Sequence, residues 1–467
     1  MKQKRQQGVR RLALAAGVAL LVVGTGAQAG WNNGWWNNLP APVADADYFA
    51  NGNQDPAKVK LGQELFFDKV LSGNMNISCA TCHHPLAGTG DGLALPVGEG
   101  GRGLGVTRDT GSGSDAVHER VPRNAPPVFN LGANEFSVMF HDGRIQPDAG
   151  MPSGFESPAG MDLPEGLDNA LAVQAMFPVT SGTEMAGQPG ENTIADVAAA
   201  GDLAGPNGVW AQLAERLRGI DGPGGYVEQF IAVFDDVNSA DDIEYRHAAN
   251  AIAAFEAVAW RADDSPFDRF LRGKRSAMSL NQIRGMRIFY SNRGNCSSCH
   301  SGKFQTDLNF YAIAMPQAGG GKGDGMFGYE DFGRERVTGN IADRYRFRTP
   351  TLRNIALTPP YGHAGTYDDL ESAVRHHLNA VNSLYSYDIS QLRVPPRPDL
   401  NAADAQAMND PAVVDAIAAR SEIAPRNLTD WEVARLIDFL NALTDPSMLD
   451  MRDDVPVQVP SGLTLAE

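Results

Sequence analysis

The four cysteines of this 467-residue chain fall into two matching patterns, "CATCH" with Cys79, Cys82 and His83, and "CSSCH" with Cys296, Cys299 and His300. C-x-x-C-H is the attachment pattern of c-type haem. Two thiols at that spacing add to the two vinyl groups of one porphyrin, and the next imidazole swings beneath the iron as its axial ligand. Three other uses compete. A zinc ribbon also takes two C-x-x-C pairs, but about 15–20 residues apart, whereas these lie in different halves of the chain. A redox-active C-x-x-C pair does not need the trailing histidine, and disulfides between the pairs stay open in an oxidising compartment. Two complete motifs consume all the cysteines, so two covalent haems are the expectation.

Nine histidines are present, and two of them stand side by side in "ESAVRHHLNA" as His376 and His377. Histidine is the commonest metal ligand, yet an isolated pair on a helix is more often a surface feature. His247 lies within a long apolar-periodic stretch and reads as a packed or surface residue rather than a ligand.

The elements that position these groups are mostly helical. "PAKVKLGQELFFDKVLS" precedes Cys79 with Val59, Gly62, Leu65 and Phe66 on one face. "SLNQIRGMRIFY" precedes Cys296; Ser279 and Gln282 stand at capping-box spacing, followed by Ile283, Met286 and Phe289. The near-repeat "LGQELFFD" against "RGMRIFYS" points to two related haem-bearing halves. Residues 239–260 read as one long amphipathic helix. "LTDWEVARLIDFLNALTDP" carries a second capping box, Thr429 and Glu432, and a buried face of Trp431, Leu436, Phe439, Leu440 and Leu443. Strand signals are few. The fold expected is mostly α, two cytochrome-c-like haem domains with long loops, over residues 53–270 and 271–450. A signal peptide (1–29) and an arm (30–52) precede them, and a tail (451–467) follows.

The signal rests on a basic start (Lys2, Lys4, Arg5, Arg10, Arg11), an apolar run over residues 12–23 and "AQA" at 27–29. That run is short for a bilayer span, and small-x-small suits cleavage; an uncleaved anchor is the alternative. Losing those five positive charges takes the formal net charge from −17 to −22. So acidic a protein has no electrostatic footprint for nucleic acid. It suits a basic protein partner or plain solubility. "WNNGWWNN" at 31–38 reads as a flexible arm or a docking segment.

Several stretches together resemble the bacterial di-haem cytochrome c peroxidase family and its MauG-like branch. They are "LFFDKVLSGNMNISCATCHHP", "RNAPPVFN", "MFHDGR", "FRTPTLRNIALTPPYGHAG" and "LESAVRHHLN". The resemblance runs from about residue 61 to about residue 443, interrupted by apparent insertions at 145–169 and 188–236.

The resemblance implies a periplasmic enzyme that reduces hydrogen peroxide at the N-terminal haem, with electrons from a small cytochrome c or cupredoxin. In "QAMFPVTSGTEM" the Gln, Pro and Glu spacing matches the family's distal set. Gln174 would position peroxide, Pro178 crowd the sixth site, and Glu184 carry a proton from the near to the far peroxide oxygen. Asn124, Thr358 and Pro360 match an all-oxygen calcium site between the halves. His141 takes the place of a tryptophan between the haems, either as a poorer electron bridge or as a propionate partner. His118 lies near, but not at, the position of a gating ligand, so an open N-terminal haem is expected. His84 reads as a surface or propionate neighbour and His363 as part of the haem surroundings. Counting fourteen residues on from His363 lands on His377, which becomes the expected sixth ligand of the C-terminal haem where relatives have Met or Tyr. A bis-His haem also leaves room for the MauG-like alternative, oxidation of side chains of a protein partner through a high-valent two-haem state. A monomer or a homodimer is expected.

Overall fold

The computed structural model describes residues 39–113 and 116–465; the signal segment and the Trp/Asn-rich stretch at 31–38 lie outside them. Six helices carry the architecture: α1 (Pro56–Phe67), α2 (Ala170–Ala175), α3 (Tyr245–Ala259), α4 (Leu280–Phe289), α5 (Leu370–Leu378) and α6 (Asp430–Asn441). The strands among the described residues form two-residue antiparallel pairs, Gln146–Pro147 with Phe155–Glu156 and Phe310–Tyr311 with Phe347–Arg348. No helix there is long and apolar enough to cross a membrane.

The near-repeat is realised as two equivalent helix crossings. α1 packs on α3 so closely that a Cβ at Gly62 would stand 1.8 Å from the Ala251 carbonyl oxygen. α4 packs on α6 in the same way, a Cβ at Gly285 standing 1.8 Å from the Arg435 carbonyl oxygen. Only glycine allows backbones this near. Four residues beyond each glycine, Phe66 meets Phe255 at 5.6 Å between ring centres and Phe289 meets Phe439 at 5.2 Å. Both expected capping boxes form, Ser279 with Gln282 and Thr429 with Glu432.

Two local expectations are corrected. Residues 239–260 are not one helix: Ile243 and Glu244 are extended, and α3 starts at Tyr245 under a reciprocal Glu244–His247 cap. His247 is packed, its Nδ1 accepting from Glu244 N at 3.0 Å. Trp431 is 52% exposed rather than part of the α6 core. It lies two residues before Val433, roughly 200° around the helix from that buried position, and Arg435 lies over its ring at 5.5 Å.

The chain ends cross over. Near the start, Asp47 bonds Lys303 Nζ at 2.5 and 2.8 Å and Tyr48 packs edge-on against Phe304, both just beyond the second haem motif. Near the end, the expected tail is packed: Met451 and Val459, with Met448 ahead of it, join the large core built mainly by the first half. Ser461 Oγ donates to Asp68 Oδ1 at 2.7 Å, and Gln63 donates to Asp454 O at 2.8 Å.

Candidate functional site

The two C-x-x-C-H motifs adopt matching local geometry. Cys79–Cys82 forms one helical turn and Cys296–Ser298 one tighter turn. His83 N and His300 N each donate to the carbonyl of their motif's first cysteine at 3.0 Å. His83 Nδ1 donates to Thr89 O at 3.1 Å and His300 Nδ1 to Gln305 O at 3.3 Å, the second ring also lying near the Pro350 carbonyl. Such bonds fix the tautomer that presents Nε2 to a metal. Burial lowers both pKa values, that of His300 to about 4, which favours the neutral form a metal ligand needs.

α5 separates the fates of the paired histidines. His376 is fully buried and both its nitrogens are engaged: Nδ1 accepts from Tyr367 Oη at 2.9 Å and Nε2 donates to Ile313 O at 2.9 Å. His377 donates Nδ1 to Ala373 O, one turn back, at 2.8 Å, leaving Nε2 for a ligand. Its ring centre lies 6.3 Å from that of His300, with the planes 59° apart. Two imidazoles bound to opposite faces of one metal, each at about 2.0 Å from nitrogen, have ring centres roughly 6 Å apart. The pair therefore fits a bis-histidine haem at the second motif.

The segment of Gln174, Pro178 and Glu184 is a short helix followed by two turns, Pro178–Thr180 and Gly182–Ala186. Within residues 170–179 only Gln174 and Pro178 are partly exposed, while their neighbours form core. Glu184 is also half-buried; burial raises its pKa, and a bond from Ser181 with the positive charges of Arg144 and Lys322 works the other way. The Glu184 turn is clamped. A Cβ at Gly73 would lie 1.8 Å from Ala186 O, and one at Gly98 1.8 Å from Thr183 O. Gly73 N donates to Met185 O at 2.7 Å and Glu99 N to Glu184 O at 3.1 Å.

Residues from the 188–236 stretch support the turn and the segments beside it. Asn192 Nδ2 donates to Ala186 O at 3.0 Å, Trp210 Nε1 to Met176 O at 2.9 Å, and Arg216 to Ser72 O and Gly73 O at 2.5 and 2.8 Å. None of these supporting residues was singled out in the sequence. The glycines of "LSGN" and "VGEG" were the visible signal.

Between the halves, Asn124 N donates to His363 O at 2.9 Å, joining "RNAP" to "TPPYGH". The Asn124 amide nitrogen donates to Leu93 O at 2.8 Å and Ala94 O at 3.3 Å, which leaves its oxygen for a cation. Thr358 directly precedes the cis Pro359–Pro360 bond, and the carbonyls of Thr358 and Pro360 are uncharged oxygens of the kind calcium accepts. His141 is committed through Nε2 to Asn124 O at 3.1 Å, and burial pushes its pKa down to about 4.

His363 is buried with neither ring nitrogen bonded, stacked on Phe347 at 3.7 Å between ring centres. An imidazole left wholly unpaired in the interior suits a polar cofactor edge beside it. Arg123 pairs with Asp331 at 2.7 Å and Asp142 at 2.6 Å in the same region. His118 is exposed. His84 is buried rather than on the surface, its Nδ1 accepting from Leu86 N at 3.2 Å.

The family model for di-haem cytochrome c peroxidase matches residues 56–276. MauG, the methylamine utilization protein of Methylorubrum extorquens, is 31% identical over 324 residues, 69% of each chain. The cytochrome c551 peroxidase of Pseudomonas aeruginosa is 30% identical over 69% of this chain and 71% of its own. In fold, a MauG-like protein associated with microbial copper homeostasis superposes with a TM-score of 0.54 at 22% identity, over 89% of this chain and 96% of its own. The di-haem peroxidase BthA of Burkholderia thailandensis gives 0.52 at 21%, over 88% and 90%. The chain belongs to the di-haem cytochrome c peroxidase and MauG family.

Proposed function

We propose that the protein is a periplasmic di-haem peroxidase that reduces hydrogen peroxide to water at the haem of Cys79, Cys82 and His83. The second haem, on Cys296, Cys299, His300 and His377, stores or relays oxidising equivalents. The carrying observation is that Gln174 and Pro178 are the partly exposed positions of a buried segment that leads into the clamped Glu184 turn.

Bound haem supplies the iron that receives the peroxide and passes electrons to it. Gln174 offers an amide to orient the peroxide, and Pro178 fills space without adding a competing donor. Glu184 takes the proton of the near oxygen and returns it to the far one, so that the far oxygen leaves as water. Half-burial with a raised pKa suits a carboxyl that must both accept and give. Calcium held by Asn124, Thr358 and Pro360 would brace the two halves. An acidic surface favours a basic redox protein as donor.

A nitrogen ligand at position 377 favours a second reading. A His/Met haem has a raised potential suited to holding an electron; a bis-His haem lacks that effect and gives up a second electron more readily. A MauG-like role, oxidising side chains of a protein partner, follows from that.

One high-spin and one low-spin haem are expected in the oxidised protein, with no sulfur-to-iron charge-transfer band. Two low-spin haems in every redox state would sink both readings. Steady turnover of peroxide with a reduced small cytochrome or cupredoxin selects the first; slow turnover with such donors selects the second.

A further inference from the structure

Charge is unevenly spread along this chain. It has 39 Lys and Arg against 56 Asp and Glu, yet residues 269–306 hold eight Lys and Arg and no Asp or Glu. Three carboxylates from outside that stretch meet four of the eight. Asp264 binds Arg269 and Arg272 at 2.6 and 2.5 Å, Glu432 binds Arg293 at 2.7 Å, and Asp47 binds Lys303. Against those three the stretch remains strongly positive.

Much of the excess stands on one face. α4 buries Gly285, Met286, Ile288 and Phe289, with Gly285 and Phe289 against α6. Leu280, Arg284 and Arg287 are exposed, and at about 100° per residue they fall within an arc of roughly 60°. Leu280 is 73% exposed, and Arg284 donates to the neutral Asn281 Oδ1 at 3.2 Å. Lys274 and Arg275 are exposed just ahead of the helix. Positive charge before a helix N-terminus opposes the macrodipole, so these two do not serve the stability of α4.

The face ends at the second haem motif. Arg293 stands between the end of α4 and Cys296. The turn that carries it doubles back on the helix, because a Cβ at Gly294 would stand 2.4 Å from Ile288 O. A standard interface covers about 800 Å² on each partner, enough to span the exposed face of α4 and the motif together.

Net charge steers at long range, but at physiological salt charges farther apart than about 8 Å are largely screened. Over this face the local excess decides, and it is positive. Leu280 flanked by cations matches a small apolar spot set in an acidic surface. We propose that this face docks an acidic protein partner and holds it beside the second haem. It is a second class of partner, next to the basic donor that the overall charge favours. The docking needs the haem on Cys296 and Cys299 but not the peroxide chemistry.

The test uses the holoprotein, with flavodoxin as an acidic redox protein for the probe. Oxidised flavodoxin should bind at low salt in calorimetric titration. Binding should weaken about tenfold in the double variant Arg284→Glu, Arg287→Glu, and again in a separate variant, Lys274→Glu with Arg275→Glu. Reduced flavodoxin, mixed without oxygen, should reduce the second haem at a rate that falls about tenfold from low to physiological salt. Both variants should lose that salt dependence. The neutral radical of photoreduced deazaflavin should reduce the second haem of all three proteins at one rate, showing the haem itself unaltered. No flavodoxin binding by the wild type, wild-type binding in both variants, or a wild-type rate independent of salt overturns the docking face. Binding to phosphatidylglycerol vesicles in preference to flavodoxin at physiological salt assigns the face to a membrane and overturns it too. No peroxide is added, so loss of the peroxidase reading would leave these outcomes unchanged.

Discussion

His300 and His377 present their imidazoles to each other across 6.3 Å, one from the second C-x-x-C-H motif and one from α5. Replacing His377 by Met should keep the haem low-spin, introduce a sulfur-to-iron band, and raise the potential by a fraction of the roughly 0.8 V span that axial ligands control. His377→Ala should convert that haem to high-spin. His376→Ala, at a ring whose nitrogens are both engaged elsewhere, should leave the absorbance of the second haem as it was. Spectroelectrochemistry decides, and a spectral change confined to the His376 variant would reverse the assignment.

Glu184→Gln removes the proton carrier without changing its size. The reaction with peroxide should slow by about 10²–10⁴-fold, the usual contribution of a positioned acid–base group, with both haems attached. Gly98→Ala should slow the same step with the Glu184 carboxyl still present, because its Cβ would meet Thr183 O at 1.8 Å and displace the turn that carries it. Stopped-flow mixing with peroxide measures both. Wild-type rates in Glu184→Gln would remove Glu184 from the reaction.

The two helix crossings should be comparably sensitive. Gly62→Ala and Gly285→Ala each insert a methyl against a backbone carbonyl, and overpacking of this kind costs about 1–3 kcal/mol. Denaturant unfolding followed at the haem absorbance should show a loss of that order for either variant. Tolerance of both would mean that the helices separate without penalty.

Glu256 lies buried on α3 with Oε2 unbonded, and burial pushes its pKa up to about 8. The folded state then holds a proton that the unfolded chain has released. Stability contributed by this group is present below the ordinary carboxylate range and falls as pH rises toward that value. Each unit of displacement corresponds to about 1.36 kcal/mol. Glu256→Gln should therefore gain on the wild type between about pH 5 and about pH 8, read as the difference in thermal midpoint. A difference independent of pH would show that Glu256 is ionised in the folded protein.

Much of this arrangement is legible in short stretches. The repeated glycine and aromatic of "LGQELFF" and "RGMRIFY" anticipate two matching crossings, and capping boxes mark two helix starts where they occur. Counting along "YGHAG" to "RHHLN" selects His377 over His376, and the bonds of the two rings give a local reason. Trp431 shows the limit of composition: an aromatic in an apolar-periodic helix still has to fall on the inner face. The Glu184 clamp was beyond reach, because Gly73, Gly98, Asn192 and Arg216 are distant in sequence and converge only on folding. The packing of Met451 and Val459 into the large core depends on residues equally distant in sequence.

The crossed chain ends also set an order of assembly. Met448, Met451 and Val459 complete a core that belongs mostly to the first half, and Ser461 binds Asp68. A chain emerging from its N-terminus cannot close that core until residues 448–461 have appeared. Both haem motifs are made long before then. Until those residues appear, the core around the first motif lacks Met448, Met451 and Val459, and Asp68 lacks its bond from Ser461.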